Sequence, residues 1–510
     1  MINTRRARAR ERVANHYNVR DYFPLPSPAR LLLDAMAESK AKAEPITPDV
    51  AVVMVPLPAQ GHLNQFLHLS SLLSARGLPI HYVGSATHNR QVLDRASRLH
   101  NGGTACRPIH FHDFPVPDYS SPAPEPDAAI KFPGHLQPAF DAARHLLSPL
   151  TDLVRSLASR SRRVVLIHDS SMTFAAGAAA SLPNVEAFCF HAVSAISGFF
   201  FRWELRGKPR EPAVETLELP NVSNKDCISQ EFCDFVLSQQ QTTVADSGRL
   251  INSCRAIEGM FIDMVAREPG WQDKKTFAIG PLNPIIFNQA SGEGASPPSI
   301  EWLDQQPPSS VIYVSFGTTS TFSDEQVAEL AAGLEASGRR FLWVLRDADR
   351  ADIYADTGGD EVEKEKLPSD YYTRVEGRGK VVRGWAPQPE ILAHPSTGGF
   401  MSHCGWNSCM ESFSVGVPIL AWPMHSDQPR NAVLVTDVLR VGFPVLDWDK
   451  RAELVPSATI KDVIERLTAS KEGEEVRRRA RELGGEVRRA MEEGGSSKTD
   501  LDAFVSHTIR

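Results

Sequence analysis

Residues 385–428 read WAPQPEILAHPSTGGFMSHCGWNSCMESFSVGVPILAWPMHSDQ, and this stretch decides how the rest of the chain is interpreted. Its centre predicts a strand over residues 397–402, a tight turn at His403-Cys404-Gly405, and a helix from Trp406 onward. Glycine allows such a turn to close, and the first N–H groups of the following helix have no partner within the helix. Helix starts of this kind attract anions. The stretch therefore predicts a strand–turn–helix unit that can bind phosphate.

Side chains around this turn predict a larger ligand than phosphate alone. His403, Asn407 and Ser408 add hydrogen-bond donors at the helix start. The others are a flat aromatic ring, a carboxylate that can accept hydrogen bonds from a diol, and a terminal polar pair: Trp385, Glu411, Asp427 and Gln428. A helix-capping unit would account for any two of these residues, but the whole set predicts a nucleotide-sugar site.

From its first Trp to its last Gln, the stretch resembles the signature motif of plant UDP-sugar-dependent glycosyltransferases. The resemblance implies that UDP is bound by Thr318, Trp385, Ala386, Gln388, His403, Gly405, Asn407, Ser408 and Glu411. It implies that the sugar is bound by Trp406, Asp427 and Gln428. A terminal Gln tends to accompany glucose in this family, which makes UDP-glucose the expected co-substrate and leaves xylose and galactose open.

Composition limits the other classes of protein. The 510 residues exceed one ordinary core, and 42% hydrophobic with 23% charged residues is typical of a globular protein. A net charge of −7 gives no reason to expect nucleic acid or an anionic membrane as a partner. Seven cysteines without a CxxC motif favour reduced thiols. We expect a cytoplasmic monomer whose ligands are UDP-glucose and a small hydroxylated acceptor.

Strand-length apolar runs alternate with helical patterns through most of the chain. Predicted strands cover residues 51–55, 80–83, 164–167, 186–190, 311–314, 341–345 and 380–383. Predicted helices include one that opens at His62, one over residues 172–182 and one over 324–336. This alternation predicts parallel, doubly wound sheets. With the family resemblance, the expected fold is α/β, with two Rossmann-like domains that face each other across a cleft (GT-B type).

Domain boundaries follow changes in pattern. Residues 1–47 are predicted to be a disordered or loosely docked extension, with an organelle transit peptide as the alternative because the first ten residues are rich in Arg. An acceptor-binding domain is expected over 48–280, a linker over 281–300, and a UDP-sugar-binding domain over 301–480. C-terminal helices over 481–510 are expected to return to the first domain, and a polar insertion at 347–366 is expected to form a surface loop.

His62 and Asp169 are the predicted catalytic pair. Each follows a predicted strand of the first domain, and ligands of such sheets bind at the carboxyl ends of the strands. A histidine backed by a carboxylate can act as a general base. A capping histidine is the alternative for His62 alone. PAQGHLNQ and IHDSSM resemble the segments in which the family has its catalytic His and Asp, and His168 is interpreted as a packing or hydrogen-bonding neighbour.

No metal or other cofactor is expected. His110 and His112 fall on one face of a strand but lack an obvious third ligand, and are interpreted as structural or acceptor-lining residues. Three Asp-x-Asp pairs, which hold a divalent cation in another glycosyltransferase architecture, are attached to no glycine-rich nucleotide unit: Asp347/Asp349, Asp447/Asp449 and Asp500/Asp502. A helix start already serves the negative charge of the diphosphate.

The resemblance extends to one branch of the family. GHLNQ, FLHLS, IHFHD, NSCRAIEG, IGPLNP and SFGTTS are similar to the branch that O-glucosylates zeatin cytokinins. That branch implies an inverting transfer of glucose to zeatin, with a flavonoid or another phenol or alcohol as the alternative acceptor. Two other classes share part of this pattern: a nicotinamide dehydrogenase, which the absence of GxGxxG disfavours, and a non-catalytic UDP-sugar-binding protein.

Overall fold

Two parallel β-sheets form the framework of the molecule. The computed structural model describes residues 49–99, 109–126, 128, 130–239, 246–283, 297–354 and 367–510. The first sheet contains β1 Val50–Val55, β2 Ile80–Gly84, β3 Ile109–Asp113, β4 Arg163–Asp169, β5 Val185–His191, β6 Gly248–Ile251 and β7 Lys275–Ala278. The second contains β8 Val311–Ser315, β9 Arg340–Val344, β10 Gly379–Val382, β11 Thr397–Ser402, β12 Ile419–Ala421 and β13 Gly442–Pro444.

Helices connect and cover these strands. Those of the first half are α1 Gln60–Ala75, α2 Ala86–Leu99, α3 Gln137–Ala143, α4 Leu147–Ala158, α5 Ala195–Leu205, α6 Pro212–Glu215, α7 Asn224–Cys227, α8 Gln230–Gln239 and α9 Arg255–Ala266. Those of the second half are α10 Pro298–Asp304, α11 Asp324–Ala336, α12 Tyr371–Arg374, α13 Gln388–Ala393, α14 Trp406–Val415, α15 Gln428–Val433, α16 Ser457–Ala469, α17 Lys471–Met491 and α18 Ser496–Ile509.

Both sheets have the same kind of strand order. The first runs β3-β2-β1-β4-β5-β6-β7 and the second β10-β9-β8-β11-β12-β13. In each, the chain builds outward on one side of the first strand and then crosses to the other side. The crossing leaves a crevice at the carboxyl ends of β1 and β4 in one sheet, and of β8 and β11 in the other. Such topological switch points are the places where doubly wound sheets bind ligands.

The central strands are apolar because both of their faces are covered. Every residue of β1 is buried, as is every residue of β8, which fits strands with helices on both sides. A further apolar cluster joins the two halves: Phe199 and Phe261 of the first share it with Trp406 and Phe413 of the second. The predicted α/β fold with two Rossmann-like domains is confirmed.

One predicted helix was wrong in type. Residues 172–182 were expected to form an α-helix, but only Thr173–Ala179 is helical and it is a 3₁₀ helix. Its bonds join residues three apart, as between Ala175 N and the oxygen of Met172 at 3.0 Å. Gly177 lies within the segment and Pro183 closely follows it, and both lower the stability of an α-helix.

C-terminal residues contact the first sheet. The Asp500 carboxylate of α18 accepts a hydrogen bond from the backbone N–H of Ala278 in β7, at 2.8 Å. The Phe504 ring packs edge-on against Phe188 and Phe277 of that sheet. The last helix of the chain therefore packs against the first sheet, which is formed by residues much earlier in the chain.

The described part of the 347–366 insertion differs from the expected surface loop. Ala348 and Ala351 are buried. The backbone oxygen of Asp349 accepts a hydrogen bond from His135 at 3.0 Å, and the backbone N–H of Asp352 donates to Ser121 Oγ at 2.9 Å. The segment packs on the first domain because its small apolar residues have a surface there to cover. The predictions for residues 1–47 and for most of the 281–300 linker lie outside the described residues.

Candidate active site

His62 and Asp169 meet at the switch point of the first sheet. His62 lies in the first turn of α1, the helix that follows β1 after a short loop, and Asp169 is the last residue of β4. Because β1 and β4 are adjacent parallel strands, two residues 107 positions apart lie side by side, with His62 Nδ1 2.6 Å from Asp169 Oδ2. The other carboxylate oxygen accepts the backbone N–H of Ser171 at 2.8 Å. The carboxylate is thus fixed on both sides.

The environment of His62 favours its protonated form. Burial by itself would lower the pKa of His62, but the charge and the hydrogen bond of Asp169, with a further contribution from the Asp427 charge, raise it. Asp169 is fully buried, whereas the His62 side chain is 20% exposed. With Nδ1 directed at the carboxylate, Nε2 is the nitrogen available to a substrate proton.

His168 has contacts of its own. Its Nε2 lies 2.9 Å from Asp246 Oδ1, and its Nδ1 lies 2.9 Å from the backbone oxygen of Asp169. The ring is fully buried, and the paired Asp246 raises its pKa against the lowering effect of burial. His168 therefore supports the backbone behind the His62–Asp169 pair.

The second sheet presents a glycine-lined turn at its switch point. His403 follows β11, and its ring lies against the turn that follows β8 and against Gly405. A Cβ atom added at Gly317 would lie 2.6 Å from His403 Nε2, and one at Gly405 would lie 2.4 Å from it. Gly317 also has φ of +75°, so glycine is required there for conformation as well as for space. Thr318 comes next along this turn and is partly exposed.

His403 is a neutral group in this turn. Burial lowers the pKa of His403 to about 4, against the smaller raising effect of a backbone hydrogen bond with Ser315. A neutral imidazole can donate one hydrogen bond without adding a full charge. Beside the start of α14, it can complement the unpaired N–H groups of that helix.

Three of the predicted UDP-binding residues form one hydrogen-bonded group. The Gln388 amide nitrogen donates to Glu411 Oε2 at 2.7 Å and to Ser408 Oγ at 2.9 Å. Burial raises the pKa of Glu411 to about 7, against the lowering effect of the Gln388 hydrogen bond. Residues from α13 and α14 are thereby held together on one side of the turn.

Trp385 stands at the edge of this group. It is 57% exposed, an unusual value for a tryptophan, and it follows Gly384 in a loop before α13. Ala386 is partly buried and packs on the apolar cluster beneath. An exposed indole of this kind offers a flat face to an aromatic base.

Trp406 and Asn407 of α14 contact the opposite domain. The Trp406 indole N–H donates to the backbone oxygen of Asn252 at 2.7 Å, and Asn407 Nδ2 donates to the backbone oxygen of Gly61 at 3.0 Å. Gly61 directly precedes His62. The Trp406 ring is buried in the interdomain cluster, so its indole N–H is already used within the protein.

Asp427 and Gln428, the predicted sugar-binding pair of the second domain, are both held by hydrogen bonds. Gln428 Oε1 accepts the backbone N–H groups of Met424 and His425 at 2.9 and 3.1 Å. Asp427 Oδ2 accepts a hydrogen bond from Asn431 at 2.8 Å. Burial raises the pKa of Asp427, and the positive charge of His62 acts in the opposite direction. The charges of His62 and Asp427 influence each other, so the predicted base and a predicted sugar-binding carboxylate lie near each other.

Sequence reasoning missed two polar residues of the interface, Ser194 and Asn431. Both are fully buried, and Ser194 Oγ lies 2.5 Å from Asn431 Oδ1. Asn431 was detectable in part, because it lies four residues after Asp427 in a helix, a spacing that brings side chains together. Ser194 was visible only as a helix cap, since its partner belongs to the other domain.

The histidine cluster near β3 has a third member that spacing did not indicate. His81 Nδ1 lies 2.9 Å from His112 Nε2, and its ring stacks on those of His110 and His112. Even so, no group of three or more His, Cys, Asp or Glu in the described ranges has the arrangement of a metal site. The cysteines within these ranges are free thiols.

The Asp-x-Asp pairs serve other contacts. Asp349 pairs with Arg346, Asp447 caps the short helix at Trp448–Lys450, and Asp502 pairs with Arg76 and Lys498. Across the part of the chain that the structure describes, no helix is both long and apolar enough to cross a membrane.

The molecule has two doubly wound domains whose switch points face each other. One switch point carries a histidine–carboxylate pair, and the other carries a glycine-lined turn at a helix start. This arrangement defines the two-domain GT-B class of glycosyltransferases. Comparison with known proteins shows which family within this class the chain resembles. Residues 48–284 match the model of the glycosyltransferase N-terminal domain, and residues 295–454 match the UDP-glucuronosyl and UDP-glucosyl transferase model.

Curated relatives cover nearly the whole chain. The zeatin O-xylosyltransferase of Phaseolus vulgaris is 48% identical over 90% of this chain and 98% of its own length. The zeatin O-glucosyltransferase of Phaseolus lunatus is 47% identical over 91% of this chain and 98% of its own length. The chain belongs to the plant UDP-glycosyltransferase family, and it is a UDP-sugar-dependent glycosyltransferase.

Solved structures agree with the assignment to the plant UDP-glycosyltransferase family. Phytolacca americana UGT2 complexed with UDP-2-fluoro-glucose and pterostilbene has a TM-score of 0.70 and 27% identity, over 90% of this chain and 99% of its own. A Polygonum tinctorium UDP-glucosyltransferase capable of glucosylating indoxyl has a TM-score of 0.71 and 28% identity, over 91% and 99% of the two chains. A sugar-nucleotide donor and a small acceptor are therefore bound by structures of this same architecture.

Proposed function

We propose that this protein transfers glucose from UDP-glucose to a hydroxyl group of a small acceptor, with inversion at the anomeric carbon, and that the acceptor is zeatin. The observation that carries the chemistry is the 2.6 Å contact between His62 Nδ1 and Asp169 Oδ2 at the switch point of the first sheet. A non-catalytic UDP-sugar-binding protein would need the turn of the second domain but not this pair.

His62 is the proposed base. Its Nε2 takes the proton from the acceptor hydroxyl while the oxygen attacks C1 of the sugar, and Asp169 stabilises the imidazolium that forms. The new C–O bond forms as the bond between C1 and the UDP oxygen breaks. Displacement from the opposite face turns an α-linked donor into a β-glycoside. The raised pKa of His62 suits this role because it makes the nitrogen a stronger proton acceptor.

UDP is the proposed leaving group, held by the second domain. The neutral His403 ring, the Thr318 hydroxyl and the first N–H groups of α14 would stabilise the negative charge that develops on the diphosphate. Asn407, Ser408 and Gly405 lie in the same turn and first helical residues. No metal is needed in this proposal, because dipoles and hydrogen bonds supply the stabilisation.

Uracil and ribose would occupy the far side of that turn. Trp385 would stack on the base, with Ala386 and Gln388 beside it. Glu411 would accept hydrogen bonds from the ribose hydroxyls once it is ionised. On the other side, Asp427 and Gln428 would bind sugar hydroxyls. Because the Trp406 indole N–H already bonds Asn252, a sugar contact from Trp406 would come from its backbone.

Zeatin is favoured as the acceptor by the relatives, several of which are named for it. The relatives include zeatin O-glucosyltransferase of Phaseolus lunatus and cis-zeatin O-glucosyltransferase 1 of Zea mays, at 47% and 46% identity. The xylosyltransferase of Phaseolus vulgaris is similarly close, so xylose is the competing donor sugar. A flavonoid or another phenol or alcohol is the competing acceptor.

A product assay tests the proposal. The purified protein is incubated with UDP-glucose, UDP-xylose or UDP-galactose and with trans-zeatin, cis-zeatin or a flavonol, with and without a chelator. We expect a β-O-glucoside of zeatin, identified by mass and by the anomeric proton coupling, and no effect of the chelator. Absence of UDP release with every acceptor would support the non-catalytic alternative. Loss of activity with the chelator would contradict the metal-free proposal.

A further inference from the structure

The Asn431 side chain joins three parts of the active-site region. Its Nδ2 donates to Asp427 Oδ2 at 2.8 Å and to the backbone oxygen of Cys404, in the diphosphate turn, at 2.9 Å. Its Oδ1 accepts a hydrogen bond from Ser194 Oγ of the first domain at 2.5 Å. An amide has two N–H donors and one oxygen, so each of these groups has a partner.

The hydrogen-bond pattern fixes which end of the amide is the nitrogen. Ser194 caps α5, and its Oγ accepts the backbone N–H of Ser197 at 3.2 Å. The Ser194 hydroxyl proton is therefore free to be donated to Asn431. With the amide reversed, its oxygen would face two other acceptors, the Asp427 carboxylate and the Cys404 carbonyl, and both hydrogen bonds would be lost.

Ser194 is itself held by the structure around it. The buried Glu258 carboxylate accepts the backbone N–H groups of Ala195 and Ile196, each at 2.9 Å, at the start of α5. Glu258 lies where the backbone of α9 departs from helical geometry, with φ of −133° and ψ of 29°. The first domain thus presents the Ser194 hydroxyl to the second domain from a supported helix start.

Asp427 needs such support because it has a competing partner. Its negative charge contributes to the raised pKa of His62, which lies across the cleft. When His62 becomes protonated during the reaction, an unrestrained carboxylate would be drawn toward the imidazolium. Asn431 holds Oδ2, while Oδ1 accepts no side-chain hydrogen bond from any residue that the structure describes.

We propose that Asn431 is a positioning residue, which holds Asp427 in the orientation that binds the sugar, and that Ser194 of the first domain fixes Asn431 in turn. The proposal rests on the sugar-binding role given to Asp427 in the proposed function. Since Asn431 contacts residues of both domains, it ties the geometry of the sugar site to the packing of one domain on the other.

Steady-state kinetics with UDP-glucose, together with UDP binding by calorimetry, test this role. For Asn431→Ala we expect kcat/KM to fall about tenfold, the effect of one charge-assisted hydrogen bond, with the Kd for UDP changed by less than about twofold. Ser194→Ala keeps the Asp427 contact and should lose about threefold. Asn184→Ala is the matched control, because Asn184 also donates to two backbone oxygens, those of Ala158 and Ser161, away from the cleft.

The double variant Asn431→Ala/Asp427→Asn separates positioning from a general structural effect. If Asn431 acts through Asp427, the double variant should be no worse than Asp427→Asn alone. Losses that add, or an Asn184→Ala variant impaired as much as Asn431→Ala, would overturn the proposal. Normal Asn431→Ala activity beside an impaired Asp427→Asn would show that only the positioning role is wrong. Full activity of Asp427→Asn would also refute its sugar-binding role.

Discussion

His62 and His403 occupy comparable places in the two domains but differ in electrostatic state. Each follows a strand that borders the switch point of its sheet, β1 for His62 and β11 for His403. The pKa of His62 is raised by Asp169, whereas burial lowers the pKa of His403 to about 4. The same side chain therefore acts as a proposed base in one domain and as a proposed neutral donor in the other.

The difference comes from the neighbouring strand. In the first sheet, the strand beside β1 ends in Asp169, which places a buried carboxylate 2.6 Å from the imidazole. In the second, the strand beside β11 leads into a turn whose Gly317 leaves room for the His403 ring and presents no charge to it. The role of each histidine is thus set by what the adjacent strand brings to the switch point.

Among changes to these two histidines and their partners, removing His62 should cause the largest loss of activity. We expect His62→Ala to lower kcat about 10³-fold, because general-base catalysis is lost, while the Kd for UDP stays unchanged. Single-turnover rates and calorimetry measure the two quantities. His68→Ala, in the same helix, is the control. Full turnover by His62→Ala would end its assignment as the base.

Removing the carboxylate should make His62 more like His403. We expect Asp169→Asn to lower kcat about 10²-fold, since the imidazolium loses its stabilising charge. Burial then dominates and the pKa of His62 falls, so the acid limb of the pH–rate profile should move to lower pH. The base form exists above that pKa, which gives the direction. An unmoved limb would indicate that another group titrates.

Changing the other histidine should affect the donor rather than the chemistry of the acceptor. We expect His403→Ala to weaken UDP binding about tenfold, the worth of a hydrogen bond to a charged group, and to leave the pH of the acid limb in place. Calorimetry with UDP and a pH–rate profile check the two halves of this expectation. A shifted acid limb would mean that the two histidines are not independent.

The smallest effect concerns Glu411. Its pKa of about 7 means that the carboxylate becomes protonated as the pH falls through neutrality, and the KM for UDP-glucose should then rise about threefold. Glu411→Gln should have a raised KM that no longer changes between about pH 6 and 8, because the group with a pKa of about 7 has been removed. A pH-dependent KM in that variant would assign the effect to another residue.

The strand–turn–helix unit of the second domain was predictable because it is local. The strand–turn–helix unit lies where its residues predicted it, at Thr397–Ser402 and Trp406–Val415, and the predicted helix over 324–336 is observed at Asp324–Ala336. Turn chemistry, helix capping and apolar periodicity act over a few residues, so one segment contains the information. The 3₁₀ helix at Thr173–Ala179 was missed because its apolar run does not distinguish it from an α-helix.

The contacts between distant segments needed the fold. The pairing of His62 with Asp169 was inferred from the general rule for strand ends, but its 2.6 Å distance and the pKa shift depend on the β1–β4 neighbourhood. The third histidine beside β3, the packing of residues 348–352 on the first domain, and the Ser194–Asn431 contact had no sequence signal. Each joins residues whose proximity is set by strand order or by domain packing.

By itself, the sequence determined two α/β domains, a nucleotide-sugar motif at residues 385–428 and the family to which the motif belongs. Periodicity and turn residues encode these features locally, and a long motif carries its own context. Only the tertiary structure decided that Asp169 raises the pKa of His62 while burial lowers the pKa of His403 to about 4, and that Asn431 links Asp427 to Ser194. Burial and charge proximity are properties of the packed molecule, so they arise only when segments distant in the sequence pack together.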